Sequence, residues 1–260
     1  VSGPLPGRAK PLRRMPVFFI TSEQVQNGTA TITGPLLHHI RTSLRTRIGE
    51  TLWVGDDRRR RHLIQVTQLD RHYLVGQVLE QHDGPIRRSP AVTIGQAILK
   101  SDRMDWMIQK ATELGAASFV PLVGRYAIVR PKAARVTTQQ QRWQRIALEA
   151  AQQAERWEIP AIAAPCESAE FFAKQSPADV TLILSERGHG RSLASIPLPS
   201  SPESTIVIAT GPEGGWANEE LAAAMEHGFT PVTLGKRILR AETASLVALS
   251  ILQSRLDELG

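Results

Sequence analysis

The sequence predicts two successive folds, a small β-barrel and then an α/β domain built on a mostly parallel sheet. Three observations carry this. Residues 16–84 are short β-rich runs separated by turn signals. After Pro90 the pattern changes to strands alternating with helices. The chain of 260 residues is also long for one domain and comfortable for two.

In the first part, strands are expected over residues 17–20, 29–33, 51–54, 63–69 and 73–79, with turns at Asn27-Gly28, Gly55-Asp56 and Asp70-Arg71. One helix interrupts them from Pro35 to about Leu44, since proline suits a first helical position. Gly84-Pro85 and Ser89-Pro90 mark a linker, so the domains divide as 15–88 and 89–260. Residues 1–14, rich in proline, glycine and basic residues, lack the apolar core of a secretory signal. They are read as extraneous to a native start at Met15, with a disordered leader as the alternative.

In the second part, residues 91–99 form a strand. Ser101 caps a helix whose Met104, Met107, Ile108, Ala111 and Leu114 make one apolar stripe, ended by Gly115. A strand over 118–122 and a helix over 137–157 follow, the latter with Trp143, Ile146, Ala147, Ala150 and Ala154 on one face. Strands at 181–184, 205–209 and 232–234 come next, with helices at 218–227 and 241–258 after the last two. Ligands in such sheets bind at the carboxyl ends of strands.

Composition narrows the function classes. Apolar residues make up 42% and charged residues 22%, which is globular rather than disordered. The apolar stretches are far shorter than the roughly 20 residues that span a bilayer, so no membrane role is expected. One cysteine, Cys166, excludes an internal disulfide framework and suits a cytoplasmic setting; it reads as a bystander. No metal-ligand spacing occurs, so no metal is expected. Gly188-His189-Gly190 lacks the third glycine of a dinucleotide turn. The net charge of +6 is uneven: residues 1–90 hold 14 Lys/Arg against 7 Asp/Glu, the remainder 17 against 18. Although four of those basic residues lie in the leader, a basic module beside a neutral one points to a polyanion partner.

Two strand ends carry the chemical signal. Residues 205–209 run into Thr210-Gly211-Pro212-Glu213-Gly214-Gly215, a tight turn before a helix, where glycine permits close approach to backbone. Residues 234–244 read Leu-Gly-Lys-Arg-Ile-Leu-Arg-Ala-Glu-Thr-Ala, a loop whose Ile238 and Leu239 could line an apolar slot. Taken singly, a structural turn and a solvated loop explain them about as well. In the first part, Arg58, Arg59, Arg60 and Arg61 follow an acidic pair, which suits a solvated hairpin tip or a phosphate contact.

Together these segments resemble the RsmE family of ribosomal RNA methyltransferases, within the SPOUT superfamily. Its signatures are matched by GPEGG at 211–215 and LGKRILRAETA at 234–244. Others are matched by KSDRMDW at 100–106 and QKATELG at 109–115. Arg142-Trp143 through Arg156, with Ile159-Pro160, and His38-His39-Ile40 with the stretch from Leu44-Arg45 to Gly49-Glu50 also agree. The likeness covers roughly residues 15–260, with Pro16-Val17 standing where the family usually has arginine before Phe18-Phe19.

The resemblance implies a PUA-like barrel that binds RNA, a trefoil-knotted SPOUT domain, and a homodimer. It implies transfer of a methyl group from S-adenosylmethionine to N3 of a uridine in small-subunit (16S) ribosomal RNA or the assembled subunit. Cofactor contacts are then expected from Leu184, Thr210, Gly211, Glu213, Gly214, Gly215, Leu234, Gly235, Ile238, Leu239 and Arg240. Arg240, Glu242, Thr243 and Arg125 are the expected catalytic residues, and Arg45, Arg47 and Arg58 to Arg61 the RNA contacts. Leu246, Leu249 and Leu252 of the last helix are expected to face a second subunit. A methyltransferase acting on another RNA such as tRNA, and a non-catalytic RNA-binding assembly protein, are the rival readings.

Overall fold

The computed structural model describes residues 17–100, 102–131, 133–174, 180–185 and 190–259. Residues 1–14, the cap expected at Ser101 and the Gly188-His189 turn lie outside the described residues. The chain divides into two compact units between Gly84 and Pro85.

The first unit is a six-stranded sheet. Its strands are β1 (Val17–Phe19), β2 (Val25–Gln26), β3 (Thr29–Thr33), β4 (Thr51–Gly55), β5 (Arg60–Leu69) and β6 (Tyr73–Asp83), in the order β1-β4-β5-β6-β3-β2. Alternate residues Ala30, Ile32, Leu52, Val54, Ile64, Val66 and Leu74 turn inward and bury against Leu37 and Ile40. The expected helix is short: α1 (Gly34–His39) passes into a wider turn over Ile40–Leu44, and Arg45 closes it in a left-handed conformation (φ 54°). Strand β5 starts at Arg60, three residues before the β-rich run that signals it. A charged start has no period-2 apolar pattern, and the pairing of Arg60 with Asp83 and Arg61 with His82 supplies what the pattern does not.

The second unit is a parallel sheet. Its strands and helices run β7 (Ala91–Ala97), α2 (Arg103–Glu113), β8 (Ser118–Val123), α3 (Val136–Gln153), β9 (Ala161–Ile162), β10 (Cys166–Glu167), α4 (Ser168–Ala173), β11 (Val180–Leu184), β12 (Arg191–Ser192), β13 (Thr205–Thr210), α5 (Asn218–Glu226), β14 (Thr230–Thr233) and α6 (Ala241–Arg255). The sheet order is β10-β8-β7-β13-β11-β14-β12, with β9 also on β8. Its described pairings are all parallel. The two-residue strands β9, β10 and β12 and the short α4 are too brief to leave a periodic signal, and sequence reasoning misses them.

Strand alternation sorts the core into two layers. Leu182, Leu184, Ile206 and Ile208 face α2, α3 and α6, meeting Met107, Ile108, Trp143 and Leu249. Ile183, Val207 and Ala209 face the other way, toward Phe171, Phe172 and Phe229. Leu249 and Leu252 are fully buried in the first of these layers, with Leu246 packed at its margin. That corrects the expectation that this stripe offers a subunit contact, because the sheet of the same chain already covers it.

Helix ends follow from local chemistry. The carboxyl end of α2 has its carbonyls met from afar: Arg156 Nη1 donates to Thr112 O (2.9 Å) and Ala116 O (2.7 Å), and Gln253 Nε2 to Leu114 O (3.1 Å). Burial, foremost, lowers the Arg156 pKa from its ordinary value. Helix α3 stops at Gln153, short of the expected Trp157, because Glu155 turns left-handed (φ 50°) and sends Arg156 to that task. No described helix is long and apolar enough to cross a membrane.

Candidate functional site

The chain runs outward on one side of β7 through β8, then builds the other side from β13, β11 and β14. The order therefore reverses between β7 and β13, the place where open parallel sheets bind ligands beyond their carboxyl ends. Leu184 ends β11, Thr210 ends β13, and Leu234 follows β14, so three of the expected contact residues sit at adjacent strand ends.

Beneath them lies a buried polar network. Gln96 and Thr210 are register partners at the ends of β7 and β13. Ser245 of α6 covers both, its hydroxyl 2.5 Å from Gln96 Oε1 and 2.8 Å from Thr210 Oγ1. Gln96 Nε2 donates to Ala97 O (2.9 Å) and reaches Gly211 O at 3.5 Å. The three side chains are essentially inaccessible to water. The network fixes the start of the 211–215 turn to the first turns of α6.

The turn leans on a second loop. Gly124 and Arg125 lie against it: a Cβ on Gly124 would come within 3.5 Å of Pro212, and one on Gly214 would come 3.0 Å from Tyr126 Cβ. Glu220 of α5 holds this arrangement, accepting from Arg125 N (3.0 Å), Ser168 Oγ (2.6 Å) and Ala217 N (3.0 Å). A side chain at Gly214 would therefore press on Tyr126 of its own chain. Gly235 differs, with φ +111° and open space where a Cβ would stand. In the loop after it Lys236, Arg237 and Ile238 are exposed, Ile238 at 73%, while Leu239 is half-buried.

Charge gathers between the turn and the start of α6. Arg240 is exposed and forms the amino-terminal cap of α6, with Glu242 and Thr243 in the first turn. The Arg125 guanidinium points instead to Glu219, 3.3 Å away. Arg103, which sequence reasoning leaves out, lies 3.5 Å from Glu213 Oε1 and 3.8 Å from Glu242 Oε1. Glu213 Oε1 also accepts from Lys100 N at 3.2 Å. Glu213 Oε2, Glu242 Oε2 and Trp216 Nε1 are buried without a hydrogen-bond partner. Unsatisfied buried polar atoms are costly and rare. In the turn that follows β13, the free acceptor Glu213 Oε2 and the free donor Trp216 Nε1 fit a polar ligand carrying both ammonium and carboxylate groups, as S-adenosylmethionine does. Among the described residues no cluster of His, Cys, Asp or Glu could hold a metal ion.

Comparison with known proteins decides the family. Residues 87–253 match the family model of the RNA methyltransferase domain. Ribosomal RNA small subunit methyltransferase E of Synechocystis is 35% identical, over 92% of this chain and 77% of that protein. The chain belongs to the RsmE family of RNA methyltransferases. The Mycobacterium bovis member, also named ribosomal RNA small subunit methyltransferase E, is 31% identical over 93% of both chains. The member from Neisseria gonorrhoeae, solved bound to S-adenosyl methionine, superposes with a TM-score of 0.81 at 31% identity, over 93% of this chain and 98% of that one.

In this RsmE-family chain the arginines of the first unit are of two kinds. Arg45, Arg47 and Arg58 are exposed, whereas Arg59, Arg60 and Arg61 are partly buried. Arg60 is held by Asp56, which accepts from its Nε (2.9 Å) and lies 2.8 Å from its Nη2. Asp56 also accepts from Arg58 N (3.0 Å) and Arg60 N (2.9 Å) and pairs with buried His62 (3.1 Å). Burial, the largest single influence, pushes the Asp56 pKa up, but hydrogen bonds from His62, Arg60 and Arg58 together outweigh it and hold the pKa below 3.8. The carboxylate thus shapes the hairpin that presents Arg58. Its place after Gly55 in a turn was legible; its partnership with His62 was not. Cys166 is half-buried, and burial foremost raises its thiol pKa, which disfavours the reactive thiolate.

Proposed function

We propose that this chain transfers a methyl group from S-adenosylmethionine to N3 of a uridine in small-subunit ribosomal RNA. The observation that carries the reading is that the 211–215 turn and the 234–240 loop leave the carboxyl ends of β13 and β14, the parallel strands on either side of β11, in a chain similar to a Neisseria protein solved with that cofactor. The residues proposed to hold the cofactor are the eleven named above, from Leu184 to Arg240, mostly through backbone groups. Bound there, the cofactor supplies a methyl carbon on a good leaving group.

The chain's own task is then alignment, holding N3 in line with the methyl–sulfur bond. N3 lies in the Watson–Crick edge, so the site must take an unpaired nucleotide. Arg240 is proposed to stabilise negative charge on the uracil ring, with Thr243, Glu242 and Arg125 around it. The first unit, taken as a PUA-like barrel over residues 15–88, is proposed to hold RNA through Arg45, Arg47 and Arg58 to Arg61, with Arg60 acting chiefly through Asp56. The second, over 89–260, is proposed to carry the trefoil knot and the chemistry, and to pair as a two-fold homodimer in the cytoplasm. Mass mapping of methylated nucleotides in ribosomal RNA, from cells with and without this protein, tests the reading. One uridine losing its N3-methyl in the deletion is the expected result, and an unchanged map refutes it.

A further inference from the structure

We infer that Glu242 is the group that removes the N3 proton, and that Arg103 is its positioning residue; this rests on the proposed uridine-N3 reaction. A carboxylate with its residue 7% exposed normally has its oxygens satisfied by short hydrogen bonds. Glu242 has none. Its Oε1 has only the guanidinium of Arg103 at 3.8 Å, and its Oε2 is buried with no partner. Glu213, on the same guanidinium, also has a partnerless Oε2, but its Oε1 is engaged by Lys100 N and it belongs to the turn assigned to the cofactor. Glu242 is therefore the carboxylate kept ready for an incoming donor.

Uracil N3–H is such a donor. The proton passes from N3 to Glu242 Oε2, and the N–H bonding pair stays on N3. N3 forms its bond to the methyl carbon while the carbon–sulfur bond breaks and its electron pair goes to sulfur, leaving a neutral thioether. Glu242 then releases the proton to water on the side where Arg103 is 39% exposed. The charged groups facing Glu242 are Arg103 from α2 and, across it, Glu213 from the turn, with Arg240 just before the helix.

The test uses the full chain and small subunits reconstituted from transcripts made with uridine or with 5-fluorouridine, whose fluorine makes N3 more acidic. Glu242→Gln should lower kcat on uridine by about 100-fold or more. At least tenfold of that loss should be recovered, relative to the unaltered enzyme, on 5-fluorouridine, with affinity for S-adenosylhomocysteine kept within about twofold of the parent. Arg103→Gln should move the acid limb of the kcat–pH profile to higher pH. Losing a nearby cation raises a carboxylate's pKa, and a base works only when deprotonated. A Glu242→Gln enzyme of parental activity, a loss that fluorouridine leaves intact, or a matching fall in S-adenosylhomocysteine affinity overturns the assignment. If Glu242→Gln does not fold, the acid limb in Arg103→Gln decides: a shift upholds the assignment and a stationary limb overturns it. An unaltered enzyme that methylates no uridine sinks the proposed function instead.

Discussion

Ser245→Ala removes one hydroxyl from the network under the candidate site. Two bonds disappear, to Gln96 Oε1 and Thr210 Oγ1. The Gln96 acceptor is left buried without a donor, at a cost of about 1–3 kcal/mol, while the Thr210 hydroxyl can rotate, so its loss is nearer about 1 kcal/mol. The sum, roughly 2–4 kcal/mol, corresponds to a drop of order 10 °C in the unfolding temperature of a unit of this size. Urea unfolding followed by tryptophan fluorescence measures it, since Trp143 and Trp216 lie in this unit. Gln96→Met in the Ser245→Ala background removes the orphaned acceptor and should restore about 1–2 kcal/mol, because replacing both partners is far gentler than replacing one. A Ser245→Ala protein within about 0.5 kcal/mol of the parent, which is the range of surface changes, would refute the reasoning.

Two further outcomes are expected. The lowered pKa of Asp56 contributes stability that is present above its unfolded value near 3.8 and is lost as pH falls through the folded value. Acid titration of the unfolding midpoint below about pH 4 should therefore be shallower in Asp56→Asn, which should also be less stable at neutral pH; a parallel titration curve would contradict this. Gly214→Ala and Gly235→Ala should both weaken S-adenosylhomocysteine binding by calorimetry, the first by pushing on Tyr126 and the second through roughly 1–3 kcal/mol of backbone strain. Full affinity in both would detach these loops from the cofactor.

The sequence was most legible where a local pattern suffices. The stripe Met104, Met107, Ile108 and Ala111 is buried as its spacing predicts, and the strand before the first glycine turn lies where it is expected, while the one before the second starts two residues early, at Thr230, and ends at Thr233. Arg103 stood in the KSDRMDW signature without a role because its partners Glu213 and Glu242 are distant in sequence and meet it only when β7 and β13 become neighbours. Gln96 and Ser245 escaped for the same reason; single polar residues in apolar segments carry no period. The final leucine stripe was misassigned because an amphipathic face says that something covers it, not whether the cover is the same chain or another.

Strand β13 occupies the centre of the sheet, between β7 and β11, yet it is made after both. A ribosome that has not yet passed Thr210 holds a chain whose β7 and β11 each offer an open edge. Such edges invite pairing with other chains. During synthesis the hazard lasts from the emergence of residue 97 until residues 205–210 clear the exit tunnel, and prematurely terminated chains never leave it. Yield of intact protein should thus depend on how quickly translation crosses the stretch between them, a property of the messenger as much as of the protein.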